Sequence, residues 1–286
     1  MDSQRFFQNR VAVLATMHKK ERVIAPLFDR ELGIKVTVPQ FNTDKFGSFT
    51  RDIERSGSQI EAARLKAEQV LLLTGESLAI ASEGSFAPHP YLPLTSCNRE
   101  VVILIDKENE LEIIGEELSF DTNHSHLKAT NIQQAMDFAG KVGFPEHGLI
   151  VMLNEYPGSS DEIIKGINTE AALIEAINNS LKKSGNGTVH LETDMRAMYN
   201  PTRMKNIEKA TYNLIQKINC LCPKCSIPGF DIIQRIPGLP CEWCSAPTTL
   251  TKSVIYKCQK CGFRKEQLFP DGKQFANPAH CMYCNP

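Results

Sequence analysis

Residues 11–39, VAVLATMHKKERVIAPLFDRELGIKVTVP, decide the fold class. Val11 to Ala15 is a short apolar run of the kind that makes a buried strand, and Glu21 to Leu32 reads as a helix closed by Gly33. Ile34 to Val38 is then a second strand, stopped by Pro39. Pro26 falls inside the helix and offers a second starting point for it, with the residues before it as loop. A strand, a polar loop, a helix and a strand in this order open an α/β layer fold.

The same alternation continues to about residue 217. Ser58 and Glu61 form a capping box, which starts a helix that runs to Gly75. Ser77 to Ala81 is the next buried strand, and Ser82 to Ser85 reads as the loop after it. Arg99–Asp106 and Leu111–Ile114 flank a turn and read as a hairpin. Helices are expected over Asn131–Lys141 and Thr169–Lys183, and strands over Gly148–Leu153 and Thr188–Leu191. A last helix begins at Asn200-Pro201 and reaches Asn219. These elements imply an α/β domain over residues 1–217, built as a mixed central sheet flanked by helices. A small Cys-rich, zinc-ribbon-like module over residues 218–286 follows it.

The 286 residues carry 32 Lys+Arg against 33 Asp+Glu, with 42% hydrophobic and 23% charged residues, so disorder and fibrous repeats are excluded. A net charge of -1 provides no global field toward nucleic acid or anionic lipid. The first apolar run is too short for a signal segment or a membrane span, so a cytoplasmic protein is expected.

Nine of the ten cysteines lie after residue 219, and eight of them form four C-x-x-C knuckles: Cys222/Cys225, Cys241/Cys244, Cys258/Cys261 and Cys281/Cys284. Eight thiolates suffice for two tetrahedral four-cysteine zinc sites with no open position, so the expected Zn2+ ions are structural. Sequential pairing, first knuckle with second and third with fourth, closes the shortest loops. Nested and crossed pairings differ from it by only about 1 kcal/mol of loop entropy. Cys220 would be a spare thiol and Cys97 a buried one. From Lys217 onward nine Lys/Arg face four acids, but two zinc-tetrathiolate centres at -2 each remove most of that excess. Trp243, Phe263 and Tyr283 could stack on bases of a nucleic acid, although aromatic residues beside zinc knuckles more often fill core. Nucleic acid and protein both remain possible partners of this module.

The α/β part carries a constellation suited to an anion. Thr16, His18, Lys19 and Lys20 fill the loop before the first helix, where backbone N–H groups and the helix dipole also favour negative charge. Lys66 lies on the capped helix, and Glu83 follows the next strand, where open α/β sheets bind ligands. Asp194, Arg196 and Arg203 surround a strand end and a helix start and could read an anionic ligand. Asp44, Arg51, Asp52 and Arg55 lie in a loop that Phe46 and Phe49 mark as a structured lid. His89 and the pair His124/His126 are further possible metal or acid/base groups.

Leu14-Ala15-Thr16 through Lys20, Leu32-Gly33-Ile34, Glu61-Ala62-Ala63 with Lys66-Ala67, and Ala81-Ser82-Glu83-Gly84-Ser85 resemble the Maf and inosine-triphosphatase group of house-cleaning nucleotide pyrophosphatases. The resemblance covers about residues 11–106. It implies that Thr16, His18 and Lys20 hold phosphates together with Lys66, and that Glu83 binds Mg2+ or orients the water, with Glu61 beside it. The paired acids usual in that group's loop are here Glu83 alone. Over its whole length, through Asp194-Met195-Arg196, Asn200-Pro201, Arg203-Met204 and Cys281 to Cys284, the chain more closely resembles a bacterial family that carries a domain-of-unknown-function label. The expected function is therefore metal-dependent hydrolysis of a nucleotide or other phosphorylated small molecule. Its rival is a non-catalytic zinc-ribbon adaptor, or a nucleic-acid-associated protein, with a degenerate nucleotide-binding domain.

Overall fold

A computed structural model describes residues 6–47, 57–89 and 92–285. They form a mixed α/β structure with five α-helices and three sheets. By the contacts within the chain it divides into one unit over Phe7–Ile215 and a second that includes the residues from Gln216 on. Arg51, Asp52, Arg55 and Phe49, expected in a lid, lie outside the described residues.

The opening segment folds as strand β1 (Val11–Ala15), helix α1 (Glu21–Leu32) and strand β2 (Lys35–Thr37). Pro26 neither starts nor breaks α1, which runs through it from Glu21. Ser58 caps helix α2 (Gln59–Thr74) with the full reciprocal box, in which its hydroxyl accepts the Glu61 N–H and the Glu61 carboxylate accepts the Ser58 N–H. Strand β3 (Leu78–His89) pairs parallel to β1 and antiparallel to β4 (Leu92–Asp106), and β4 pairs with β5 (Leu111–Ser119). The first sheet thus has the order β2-β1-β3-β4-β5. Val13, Ala15, Ala63, Ala67, Val70, Ala79, Ala81 and Ile103 are buried together where α2 lies on it.

Two expectations are corrected here. Ser82 to Ser85 is not a loop. It continues β3, in register with Val102 through Arg99 of β4, because the long partner strand supplies ladder bonds that outweigh the turn propensity of Ser and Gly. There is also no single central sheet. Strands β6 (His126–Ala129), β7 (Leu149–Met152), β8 (Ile163–Ile167) and β9 (Val189–Thr193) form a second, antiparallel sheet in the order β6-β9-β7-β8. Helices α3 (Ile132–Lys141) and α4 (Glu170–Lys183), capped by Asn131 and Thr169, cover one face of it. Phe138, Leu149, Val151, Leu173, Ile177, Val189 and Leu191 make that core, each contributing roughly 1.5–3 kcal/mol on burial.

Helix α5 (Pro201–Asn219) begins at Asn200, whose side-chain oxygen accepts the Arg203 N–H. It lies against β5 closely enough that a Cβ on Gly115 would come 2.4 Å from the Ala210 carbonyl oxygen, so only glycine allows this approach. In the second unit β10 (Asp231–Pro237), β11 (Thr251–Lys257) and β12 (Arg264–Leu268) form a three-stranded antiparallel sheet. No helix among the described residues is long and apolar enough to cross a membrane.

Candidate metal centres and anion cleft

The cysteines form two clusters, Cys222/Cys225/Cys258/Cys261 and Cys241/Cys244/Cys281/Cys284, each with all ligand atoms within 4.8 Å of one another. Between knuckles the Sγ–Sγ distances are 3.7, 3.6, 3.9 and 3.6 Å. The edge of a tetrahedron with Zn–S bonds of about 2.3 Å is about 3.8 Å, so both donor sets fit zinc, and all the thiols are free of disulfides. The pairing is interleaved, first knuckle with third and second with fourth, which corrects the sequential expectation. Strand register decides it. Asp231, shortly after the first knuckle, lies opposite Lys257, the residue before the third, so the β10–β11 hairpin brings those two knuckles together. Ala276 bridges Cys241 and bonds to Pro240 and Glu242 on either side, which draws the fourth knuckle to the second. Cys220 belongs to neither cluster. Trp243 and Tyr283, expected as core, are 75% and 70% exposed, whereas Phe263 packs on Phe230.

In the α/β unit a narrow, solvent-open cleft with a cavity volume of about 40 Å³ is lined by Thr16, His18, Lys20, Asp44, Lys66, Ser82, Glu83, Lys165, Arg196 and Arg203, among others. Thr16, His18, Lys20, Lys66, Glu83, Arg196 and Arg203, expected as catalytic or phosphate-binding residues, meet here, and Glu61 does not. Glu61 is the box partner of Ser58 on the exposed start of α2, and its carboxylate is engaged with the Ser58 N–H at 2.7 Å.

The cleft is built from several elements. The loop between β1 and α1 carries Thr16, His18 and Lys20. Lys19 between them has φ +59°, a left-handed conformation that costs a non-glycine residue about 1 kcal/mol and often marks a functional turn. Lys20 is buried, and its ammonium donates to the Ser82 hydroxyl at 2.8 Å and the Ser82 carbonyl at 3.1 Å. Burial first, then the charges of Arg203 and Lys66, bring its pKa down from 10.5 to about 7. Lys66 sits on the buried stripe of α2 with Ala62, Ala63, Ala67 and Val70, and its ammonium lies 2.5 Å from the Glu83 carboxylate. His18 Nε2 lies 2.9 Å from Asp44 Oδ1. Burial lowers the His18 pKa, and the hydrogen bond to His18 lowers that of Asp44.

Arg203 is 1% exposed. Its guanidinium donates to Glu100 at 2.8 and 3.4 Å and to the Met195 carbonyl, and lies over the Phe86 ring. Gly84 faces this pair: a Cβ there would fall 2.4 Å from Arg203 Nη2 and 2.5 Å from Glu100 Oε1. Arg196 makes a forked pair with Asp194, at 3.0 and 2.6 Å, and stacks on Tyr199. Both arginines therefore bring counter-ions with them, whereas no carboxylate among the described residues lies in ion-pair contact with Lys20.

Mg2+ usually binds through one or two carboxylates together with a substrate's phosphates and its own waters. Here Lys66 is on Glu83, His18 is on Asp44, and among the described residues no three carboxylate, imidazole or thiol ligand atoms converge outside the cysteine clusters. His124 stacks on Phe86, and His126 on His190 of β9. His89 lies against Phe120.

Ser82 and Lys165, which line the cleft, and Glu100, the buried counter-ion of Arg203, are parts that sequence reasoning missed. Ser82 and Glu100 were hidden by reading the middle of β3 as loop, which concealed that Glu100 of β4 stands opposite Gly84.

A family model described as Domain of unknown function (DUF6671) matches residues 66–286. The chain belongs to the DUF6671 family. The match spans Lys66, Glu83, Arg196, Arg203 and both cysteine clusters, and begins after the Thr16–Lys20 loop. No curated protein matches the DUF6671 chain.

Proposed function

We propose that the α/β unit of this DUF6671 protein binds a phosphorylated small molecule in the cleft and hydrolyses it, with a nucleotide as the ligand class. The observation that carries the proposal is Lys20, a buried ammonium whose hydrogen bonds go to the neutral oxygens of Ser82. Burial and the neighbouring Arg203 and Lys66 oppose its charge more than Glu100 and Glu83 support it. A phosphate in the cleft reverses that balance, since one dianion compensates several cations in a site that water only partly screens. Thr16, Lys66, Arg196 and Arg203 are the further groups for its oxygens. The resemblance of residues 11–106 to the nucleotide pyrophosphatases supports a nucleotide, because Thr16, His18, Lys20, Lys66 and Glu83, which carry it, line this one cleft. A divalent cation in this chemistry arrives on the ligand's phosphates rather than in a protein cage.

The test is thermal stabilisation by inorganic phosphate and nucleoside triphosphates, followed by assays for released phosphate and pyrophosphate with and without Mg2+. Stabilisation lost in Lys20→Met supports the proposal; no shift with any of these ligands rejects it.

A second reading concerns the zinc unit and rests on Trp243 and Tyr283, exposed residues that each sit inside a knuckle of the same cysteine cluster. Exposed aromatic residues on a rigid metal centre suit contact with a nucleic acid or protein partner. Quenching of Trp243 fluorescence by single-stranded oligonucleotides, absent in Tyr283→Ala at unchanged zinc content, supports a nucleic acid. Unaltered fluorescence rejects it.

A further inference from the structure

We infer that His18, held by Asp44, is the proton acceptor of the cleft and takes the proton of the water that attacks the bound phosphorus. This rests on the hydrolysis reading above and assigns that reading its base, in place of the phosphate-holding role that the resemblance implies for His18.

Three features lead there. His18 is 9% exposed, lines the cleft, and has Nε2 2.9 Å from Asp44 Oδ1. An ionised carboxylate only accepts hydrogen bonds, so Asp44 keeps the proton of a neutral imidazole on Nε2 and leaves the lone pair on Nδ1. The side chain of Asp44 stays 37% exposed, so the carboxylate keeps enough water to remain charged at neutral pH.

Second, the groups around His18 oppose a positive imidazole. Lys20 and Arg203 act on it directly, Lys66, Lys165 and Arg196 line the same cleft, and Asp44 and Glu83 are the acids there. A neutral imidazole is the form that can receive a proton. It is a poor permanent partner for a phosphate, which the four or five fixed cations already serve.

Third, the other carboxylate is engaged. Glu83 is buried with Lys66 at 2.5 Å and functions in the ligand-free cleft as the counter-ion that places Lys66.

In the step itself a water O–H bond breaks and its proton passes to His18 Nδ1. The water oxygen forms a bond to phosphorus. The bond from phosphorus to the leaving oxygen breaks, with its electron pair on that oxygen, where Lys20 and Arg203 neutralise the charge. The imidazolium, paired with Asp44, then returns the proton to solvent.

Two measurements on the full zinc-loaded chain test this. Long-range 1H–15N spectra of the imidazoles at pH 7.5, with His18 assigned by its loss in His18→Gln, should show the Nε2–H tautomer with Nδ1 bare. An imidazolium or the Nδ1–H tautomer at that pH overturns the assignment regardless of substrate. In phosphate-release assays with nucleoside triphosphates, His18→Gln should lower kcat by about a hundredfold or more and remove the acid limb of the pH profile, while the Kd for inorganic phosphate stays within about threefold. Asp44→Asn should lower kcat and change the His18 tautomer. Turnover in His18→Gln at the wild-type rate and pH profile overturns the role of His18 and leaves the hydrolysis reading intact. Absence of phosphate binding and turnover in the wild type overturns both.

Discussion

Anion binding at Lys20 should be coupled to proton uptake, and the size of that uptake follows from the structure. In the free protein the pKa is about 7. A drop from 10.5 to that value disfavours the charged form by about 5 kcal/mol. An anion against Nζ removes much of this penalty and returns the pKa toward the ordinary lysine range. At pH 8 the free ammonium is then about 10% protonated and the bound one almost fully, so about 0.9 proton enters with the ligand. At pH 6, where Lys20 is already charged, the uptake from it falls to about 0.1. Sulfate is the suitable probe, since it does not titrate in this range. Calorimetric titrations in buffers of different ionisation enthalpy give the proton count from the slope. Lys20→Met should abolish the uptake at pH 8. The same displacement bears on stability: the folded pKa lies below the unfolded one, so between about pH 7 and 10.5 the unfolded chain binds the additional proton and stability rises with pH. Below pH 7 the penalty is fully present, and there Lys20→Met should stabilise the α/β unit by up to a few kcal/mol. A pH-independent uptake, or one that persists in Lys20→Met, would refute the placement of Lys20 as a buried cation that has no carboxylate in ion-pair contact among the described residues.

Metal analysis of the wild type should give two Zn2+ per chain. Cys258→Ser should lower this to about one, and cadmium-113 spectra should show that the survivor is the centre that joins Cys241 to Cys281, because Cys258 pairs with Cys222. Gly84→Ala inserts a methyl group into the Arg203–Glu100 pair and should destabilise the α/β unit by about 1–3 kcal/mol in chemical denaturation, weakening sulfate binding as Arg203 shifts. Glu61→Ala should lower the stability of the α/β unit slightly and leave sulfate affinity unchanged, which separates its capping role from the site.

Local chemistry made much of the fold legible. The strand Val11–Ala15, the helix from Glu21 to Leu32 and the Ser58/Glu61 box are each specified by residues within one turn of one another, and the structure has them at the expected positions. Long-range pairing was not readable in this way. Ser82-Glu83-Gly84-Ser85 has the composition of a turn, yet β4 holds it as strand. Strands β7 and β9 of the second sheet were expected, but β6 (His126–Ala129) and β8 (Ile163–Ile167), four and five residues long, were not, so the assembly of a separate sheet was not readable. The knuckle pairing turned on about 1 kcal/mol of loop entropy, smaller than the effect of one hairpin register. In the cleft Thr16, Lys20, Lys66 and Glu83 could be chosen by residue type. The engagement of Glu83 by Lys66, the hold of Asp44 on His18, the bond from Lys20 to Ser82 and the hold of Glu100 on Arg203 depend on contacts across 17 to 103 residues of chain, which no spacing encodes.

The interleaved cysteine clusters make the second unit indivisible. One centre draws its ligands from positions 222 to 261 and the other from 241 to 284, so the two spans overlap. A single cut between Cys244 and Cys258 parts both ligand sets at once, and no contiguous fragment omitting either outer knuckle retains both centres. The order of synthesis is set as well, since the first centre can close only when Cys261 has been made, with the second knuckle already enclosed in its loop. A protease nick between residues 244 and 251 is therefore the most damaging single break available to this unit: it divides both ligand sets, and leaves the two pieces tied by two zinc ions, the β10–β11 ladder and the Ala276–Cys241 bridge.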